Sequence, residues 1–216
     1  MILSEAPEIQ AFQMDCMEFM KDKPDNYYDL AIVDPPYGIG DFTNPTYSKE
    51  RKVTVSKFSG TVDWNDNIPT IEYFNELNRV SAERIIWGAN YYNCFDGRGG
   101  AIIWDKEQPH PNMSRCEIAS YSRLAQVKYI NLKWASLNRE EETTHPCQKP
   151  VKLYRWLLQN YAKPGDKILD THGGSFSSAI ACHAEGFDLD ICELDEDYFN
   201  DAVKRFKLNT IQERLF

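Results

Sequence analysis

The stretch "KILDTHGGSFSSAIACHAEGFDLDICE" at residues 167–193 decides the fold. Its first run, "KILD" (167–170), predicts a strand, "SSAIACHAEG" (177–186) predicts a helix that Gly186 ends, and "LDICE" (189–193) predicts the next strand. Strand, turn, helix and strand in this order form a βαβ unit, whose two strands run parallel. We therefore expect an α/β protein with a parallel sheet and helices on its faces.

The turn inside this unit has the composition of a cofactor site. Gly173 and Gly174 let backbone N–H groups approach a ligand, and the following helix N-terminus favours negative charge. Glu193 ends the next strand 23 residues after Asp170, close to the spacing of ~20 residues at which an acid meets ribose hydroxyls. The turn lacks a full G-x-G-x-x-G, so it favours a cofactor with adenosine but no pyrophosphate.

Outward from this unit, apolar runs and helical spacing predict the other elements. Strands are expected at 29–34, 84–88 and 101–105, a further strand pair at 117–122 and 125–134, and helices at 71–82 and 150–166. Two prolines end the first of these strands in "DPPYGIG" (34–40), between an acid and an aromatic residue.

The whole chain has 216 residues, 42% of them apolar, which suits one sizeable domain with a packed core. Its net charge of −9 argues against a protein that coats nucleic acid non-specifically, but not against a local basic groove. The segment 38–62 carries such a local excess of positive charge, which can be a solvated loop or an arm beside the active site that contacts phosphates. Its basic residues are Lys49, Arg51, Lys52 and Lys57.

Cysteine usage and hydropathy bear on the compartment. The six cysteines form no C-x-x-C pair, and the N-terminus does not resemble a signal, so we expect a reduced, cytoplasmic setting. No apolar run approaches the length of a membrane span. Two histidines and two cysteines in the middle of the chain fit no usual spacing of zinc ligands, so no metal is predicted. They are His110, Cys116, His145 and Cys147.

Three elements in order resemble one family. "DPPYGIG" (34–40), "HPCQKP" (145–150) and "LDTHGGSFSSAIACHAEGFDLDICELDEDYF" (169–199) together resemble the S-adenosylmethionine-dependent DNA amino-methyltransferases. Because the D-P-P-Y element comes first and the glycine turn last, the order resembles the permuted beta group of adenine-N6 and cytosine-N4 enzymes. The run-up "MDCMEFMKDKPDNYYDLAIV" (14–33) is similar to that group, and the middle of the chain resembles a subgroup common in bacteria and their phages.

The resemblance implies a doubly wound, mostly parallel Rossmann-like methyltransferase sheet. It covers almost the whole chain, which implies a single domain over 1–216, with a catalytic half at about 1–144 and a cofactor-binding half at about 145–210. No separate target-recognition domain fits between residues 105 and 144. Sequence specificity is then expected from loops, chiefly 41–62 and 105–115, aided by a second subunit in a homodimer.

The resemblance also implies roles at the D-P-P-Y corner. The Asp34 carboxylate and the Pro35 carbonyl would accept the N–H groups of an adenine N6 amine and turn its nitrogen towards sp³. Pro36 would help to fix that carbonyl, and Tyr37 would stack on the extruded base. The methyl group would then pass directly from sulfonium to nitrogen. Cytosine-N4 methylation is the alternative, but that group more often carries serine in place of Asp34.

Cofactor contacts follow from the same resemblance. Asp170 and the glycine turn would line the methionine side, Glu193 would hold the ribose hydroxyls, and a run-up pair would lie near the adenine ring. The "HPCQKP" element would reach the methionine end. These residues are Asp15, Cys16, His145, Gln148, Lys149, Pro150, Asp170, Gly173, Gly174, Ser175, Ser177 and Glu193, with Asp34 at the junction of both sites.

Two residues depart from the family pattern. Phe176 stands where the turn usually has a second glycine, and Ile191 stands where a small residue is common. The Phe176 ring would either narrow the cofactor pocket or point into the core between sheet and helix. The first case implies a degenerate, non-catalytic relative that binds nucleic acid but holds the cofactor weakly. The second case implies retained activity.

The C-terminal tail has two interpretations. "TIQERLF" (210–216) resembles the peptides that dock on bacterial sliding clamps, through Gln212, Leu215 and Phe216. Alternatively, it is an apolar tail folded back on its own domain.

Overall fold

One mixed sheet organises the residues that the computed structural model describes, which are 6–38, 68–95, 98–107, 114–133 and 147–213. Its strands are β1 Ile9–Gln13, β2 Tyr28–Val33, β3 Ser81–Trp87, β4 Ala101–Asp105, β5 Cys116–Tyr121, β6 Val127–Asn131, β7 Lys167–Asp170 and β8 Asp188–Glu193. The helices are α1 Cys16–Lys21, α2 Ile71–Val80, α3 Ala89–Tyr92, α4 Val151–Tyr161, α5 Ser177–Glu185 and α6 Glu196–Glu213.

The sheet order is β1-β8-β7-β2-β3-β5-β4-β6. Within the described ranges only β5 runs antiparallel to its neighbours, β3 and β4. The expected mostly parallel, doubly wound sheet is therefore confirmed, and strands from both halves of the chain join it.

Helices pack on both faces of the sheet, as predicted. On one face the core includes Phe19 and Met20 of α1 and Leu77 of α2. On the other face it includes Leu153 of α4 and Ala202 of α6. The alternation along β2 explains the division, since Leu30 and Ile32 join the second core while Ala31 and Val33 join the first.

Three details differ from the sequence prediction. The helix expected at 150–166 covers Val151–Tyr161, with Ala162 as its C-cap. The predicted pair at 117–122 and 125–134 forms strands β5 and β6, but β4 lies between them and pairs with both. Periodicity detects strands but not their neighbours, which explains this error. Helix α2 ends at Val80 rather than at residue 82, because Ser81 is already extended and its hydroxyl bonds back to the Leu77 carbonyl.

The carboxyl ends of β2 and β7 meet at one edge of the sheet. These strands are parallel neighbours, with Leu30 opposite Ile168 and Ala31 opposite Leu169. The chain leaving β2 at Asp34 and the chain leaving β7 at Thr171 therefore start side by side, with strands about 4.8 Å apart. Such an edge is where open α/β sheets bind ligands. No helix in the described part of the chain has the length and apolarity to cross a bilayer.

Candidate active site

Charged side chains cap an apolar face of the sheet at this edge. Each of three strands continues its core-facing row with one ionisable residue: Leu30 and Ile32 lead to Asp34, Ile102 and Trp104 lead to Lys106, and Tyr121 and Ala119 lead back to Glu117. Because β5 runs antiparallel, Glu117 near its start reaches the same edge as the ends of β2 and β4. The sheet thus brings together charges that are far apart in sequence.

Lys149 joins these charges just before α4. Its ammonium pairs with Asp34 Oδ2, lies 3.0 Å from Glu117 Oε2, and donates to the Tyr37 hydroxyl at 3.0 Å. Tyr37 donates to Asp34 Oδ1 at 2.7 Å. Lys106 holds the other oxygen of Glu117 at 3.0 Å. The Lys149 side chain is only 5% exposed, so these pairs are shielded from water.

Burial and partners set the protonation of this cluster. Burial raises the pKa of Asp34, and the Lys149 charge opposes that rise. Burial also disfavours ionised Glu117, but Lys149 and Lys106 outweigh it and lower the pKa of Glu117 to about 2. The pKa of Lys149 rises despite burial, because Asp34 and Glu117 stabilise its charge. Glu117 is thus a fixed anion and Lys149 a fixed cation, whereas Asp34 is the carboxylate most ready to accept a proton.

Three tyrosines hold the Pro-Pro corner. The Tyr92 hydroxyl lies 2.8 Å from the Pro36 carbonyl oxygen and also reaches the Pro35 carbonyl. A carbonyl oxygen has two lone pairs, so Pro35 can accept a further donor. The Tyr37 ring stacks on Tyr91, with centroids 4.8 Å apart and planes 15° apart. A base that stacks on Tyr37 must therefore use its other face or displace Tyr91.

Gly88 gives the Tyr37 ring its space. This glycine follows β3 with φ +75°, and a Cβ added there would lie 2.7 Å from Tyr37 Cδ1. Both the left-handed backbone and the close ring require glycine at this position. Trp87 beside it is fully buried, as expected of a core residue, and Lys149 Nζ lies 5.5 Å from its ring centroid.

The glycine turn lies at the end of β7, where the sequence predicts it. Gly174 takes φ +51°, and its N–H donates to Glu193 Oε2 at 2.7 Å. The other Glu193 oxygen accepts the Asp195 N–H at 2.9 Å. These bonds fix the carboxylate at the end of β8 and leave lone pairs for further donors. The turn is thus tied to the acid that the sequence predicts for ribose binding.

Asp170 lies beneath the turn rather than on its surface. It is 1% exposed, and its carboxylate accepts the Ser178 hydroxyl at 2.5 Å and the His172 N–H at 3.1 Å. Burial, with smaller contributions from Asp34 and Glu193, raises its pKa to about 7. Asp170 thus links the turn to the first residues of α5.

His172 forms a short hydrogen-bonded chain beside the turn. Its Nδ1 lies 2.9 Å from the Thr171 hydroxyl, which lies 2.7 Å from the Tyr73 hydroxyl. Burial lowers the pKa of His172 to about 4. The ring is therefore neutral near pH 7.

We expect His172→Gln to reduce the loss of unfolding free energy that the protein shows as the pH falls below about 6.5. The unfolded chain binds a proton on this histidine below about pH 6.5, whereas the folded chain does so only near pH 4. The contribution of His172 is thus present above pH 6.5 and is lost as the pH falls towards 4. Urea unfolding between pH 4.5 and 7.5 should show a smaller loss of stability in the variant. An unchanged slope would contradict a neutral folded histidine.

Phe176 does not narrow the turn. Its ring is 2% exposed, belongs to the core and meets Phe199 edge-on at 5.7 Å between centroids. A Cβ added at Gly173 would lie 2.6 Å from Phe176 Cε1 and 2.9 Å from Ile191 Cγ1. Both departures from the family pattern therefore fill the space beneath Gly173. Of the two expected orientations, the ring pointing into the core is confirmed.

We expect Phe176→Gly to destabilise the protein although it restores the family residue. Removing a buried phenyl group costs about 3–5 kcal/mol, and relief of its φ of +57° returns only about 1–2 kcal/mol. Urea unfolding should show a net loss of about 1–4 kcal/mol. Phe176→Leu keeps most of the volume and should lose less than about 1.5 kcal/mol. Equal stability of Phe176→Gly and the parent would contradict this packing.

The remaining predicted site residues either lie near the glycine turn and the start of α4 or fall outside the described ranges. Asp15 follows β1 and caps α1 by accepting the Met17 N–H at 2.8 Å, and Met14 N donates to the Glu193 carbonyl at 3.1 Å, so this segment lies beside the end of β8. Burial raises the pKa of Cys16 to about 12, so it is a thiol. Gln148 is buried and Pro150 is the N-cap of α4.

Several predictions fall on residues outside the described ranges. These are His145, the basic residues Lys49, Arg51, Lys52 and Lys57, the tail residues Leu215 and Phe216, and the side chain of Gln212.

Three charged residues that hold the site are absent from the residues predicted from the sequence. Glu117 and Lys106 belong to the charge cluster, and Arg205 of α6 donates to the Ser175 carbonyl at 2.7 Å and to Ser177 Oγ at 3.1 Å. Arg205 is 2% exposed. A usable signal exists, since each interrupts an apolar row: Arg205 follows Tyr198 and Ala202 at helical spacing.

Comparison with known proteins gives one family and several relatives. The N6/N4 methyltransferase family model, described as DNA methylase, matches residues 28–204. A type II methyltransferase of Bacillus subtilis, M.BglII, is 25% identical over 76% of this chain and 59% of its own length. M2.MboI of Moraxella bovis is 25% identical over 82% of this chain and 80% of its own. The chain thus spans less than two thirds of the first relative.

Solved structures share the fold. The M1.HpyAVI–SAM complex superposes with a TM-score of 0.60 at 20% identity, over 91% of this chain and 99% of that one. The cytosine-N4-specific PvuII DNA methyltransferase superposes with a TM-score of 0.60 at 12% identity, over 97% of this chain and 94% of its own. At these identities the likeness establishes the architecture alone.

Proposed function

The chain belongs to the DNA methylase family, and from that membership we propose that it transfers a methyl group from S-adenosylmethionine to N6 of adenine in DNA. The observation that carries the proposal is the shared edge of β2 and β7. There an acidic Pro-Pro corner with two hydrogen-bond acceptors stands beside a glycine turn tied to a carboxylate. The first suits an amine, and the second suits the cofactor's nucleoside.

The residues present fit such a cofactor. We assign the ribose hydroxyls to Glu193, whose carboxylate is held by two backbone N–H groups. The turn at Gly173 and Gly174 leads into α5, and Phe176 and Ile191 fill the space beneath Gly173. Asp15 and Cys16, in the segment beside the end of β8, are assigned to the adenine ring. S-adenosylmethionine supplies an electrophilic methyl group on a positively charged sulfur.

The corner then prepares the nucleophile. Asp34 and the Pro35 carbonyl each accept one N–H of the amine, which directs the nitrogen lone pair towards the methyl group. After transfer the nitrogen carries a positive charge and must lose one proton. Asp34 is in place to take that proton, and burial, which raises its pKa, favours acceptance. Tyr37 is the stacking surface for the base, which leaves the duplex at a cost of a few kcal/mol.

DNA is the substrate that family membership implies, and the finer features of recognition are proposals. Phosphate contacts are assigned to Lys49, Arg51, Lys52 and Lys57. Base reading is assigned to loops 41–62 and 105–115, most of which lie outside the described residues. A second subunit and a sliding clamp bound through Gln212, Leu215 and Phe216 are proposed as partners. The organisation as one methyltransferase domain is part of the same proposal.

Mass analysis of nucleosides tests the reaction and its target. DNA incubated with the protein and S-adenosylmethionine is digested, and the products are compared with those of the Asp34→Ala variant. The proposal expects N6-methyladenine only with the unaltered protein. Detection of N4-methylcytosine instead would show that the target is cytosine. If neither methylated base forms at any protein concentration, the proposed methyl transfer is wrong.

A further inference from the structure

Glu117 and Lys106 form a second ion pair directly behind the proposed catalytic corner. Glu117 Oε1 lies 3.0 Å from Lys106 Nζ, and Oε2 lies 3.0 Å from Lys149 Nζ. The same Oε2 lies 3.4 Å from the Tyr37 hydroxyl. Glu117 therefore contacts both side chains that hold the Asp34 carboxylate.

The four charges of this network cancel. Asp34 and Glu117 contribute two negative charges, and Lys149 and Lys106 contribute two positive ones. The side chains of Lys106 and Glu117 are 10% and 21% exposed, so solvent screens them poorly. Without Glu117 the corner would carry one net positive charge in a shielded place.

A positive corner would oppose the proposed reaction at two points. The methyl donor carries a positive charge on sulfur, and the amine nitrogen gains positive charge as the new bond forms. Each would then lie near the charges of Lys149 and Lys106, with Asp34 the only carboxylate among the described residues that pairs with either of them. Among the described residues, Asp34 would also become the only carboxylate that the Lys149 ammonium bonds, which would weaken this carboxylate as an acceptor for the amine.

On this basis we propose that Glu117 is a positioning residue that binds Lys149 and balances its charge, so that the corner accepts a positively charged methyl donor. The inference rests on the proposed use of S-adenosylmethionine. Lys106 sets the strength of this effect, because it shares the Glu117 carboxylate with Lys149. A purely structural ion pair would instead affect folding without regard to the charge of the ligand.

Two ligands of nearly equal shape separate these roles. S-adenosylmethionine is a sulfonium, whereas S-adenosylhomocysteine is a neutral thioether. Calorimetric titration of Glu117→Gln should show S-adenosylmethionine binding weakened about tenfold or more, with S-adenosylhomocysteine changed much less. The turnover number for DNA methylation should fall with it.

Charge-matched variants keep the test decisive. Glu117→Gln combined with Lys106→Met returns the net charge of the network to zero. The ratio of the affinity for S-adenosylmethionine to the affinity for S-adenosylhomocysteine should then return to its parent value. Lys106→Met alone makes the corner negative and should raise that ratio above the parent value. Glu83→Gln is the matched control, because Glu83 accepts a bond from Ser122 at 2.6 Å and does not contact this network.

The outcomes are distinguishable. The inference would be overturned if Glu117→Gln leaves the ratio of the two ligand affinities unchanged. It would also be overturned if both affinities fall equally and Lys106→Met does not reverse the fall. Either result leaves the methyltransferase proposal standing. Absence of binding and of methylation in the unaltered protein would instead overturn the proposed function. If Glu117→Gln fails to fold, the ligand ratio in Lys106→Met alone decides the question.

Discussion

Asp34→Ala is expected to lower the turnover number for DNA methylation by at least ~10²-fold, the usual loss when one preorganised polar group is removed from an active site. Asp34 is proposed to orient the amine and to accept its proton, and no other described carboxylate accepts a bond from Tyr37 at so short a distance. The fold should survive, because Lys149 keeps Glu117 at 3.0 Å as a partner.

The cofactor affinity of this variant is the informative second measurement. Glu193 and the glycine turn do not contact Asp34 through any bond in the described part of the structure, so calorimetry should show S-adenosylhomocysteine, the neutral ligand, binding within a few-fold of the parent. S-adenosylmethionine should bind more weakly, because the corner without Asp34 carries one net positive charge. Asp34→Asn is the matched control, since it keeps one acceptor oxygen and the side-chain shape but cannot take the proton. It should retain more activity than alanine. An equal loss of S-adenosylhomocysteine binding and of turnover in Asp34→Ala would contradict the assigned role.

Gly88→Ala is expected to produce the second-largest effect, a loss of about tenfold or more in turnover, since small misplacements in an active site are costly. The new methyl group would lie 2.7 Å from Tyr37 Cδ1 and must push the ring from its place. Tyr37 holds Asp34 and is the proposed stacking surface, so the shift disturbs both. Steady-state kinetics with a DNA substrate measures the loss.

Gly99→Ala separates this clash from backbone strain. Gly99 has a similar φ of +69°, but nothing lies within 4 Å of a Cβ added there. Both variants should therefore lose about 1–2 kcal/mol of stability from left-handed strain, whereas only Gly88→Ala should lose activity. Equal turnover numbers in the two variants would contradict the role of Gly88 in leaving space for the Tyr37 ring.

Patterns along the chain predicted most of the strands and helices and both segments that form the proposed site. The βαβ unit at 167–193, the Gly186 stop and the strand before Asp34 are all present in the structure. These features are local, because hydrophobic periodicity, prolines and glycines constrain the backbone wherever they occur. The predicted pairing of β5 with β6 was wrong, because which strands become neighbours depends on distant parts of the chain.

The sequence by itself determined the α/β class, the carboxylate and prolines at 34–36, and the glycine turn that accompanies them. Only the tertiary structure decided that Glu117, Lys106 and Lys149 converge on Asp34, that Arg205 holds the turn, and that Phe176 faces the core. The reason is physical: a buried charge must find its partners across strands and helices, and those distances are set by sheet order and packing. Local sequence encodes which side chains are present, and the fold decides which of them meet.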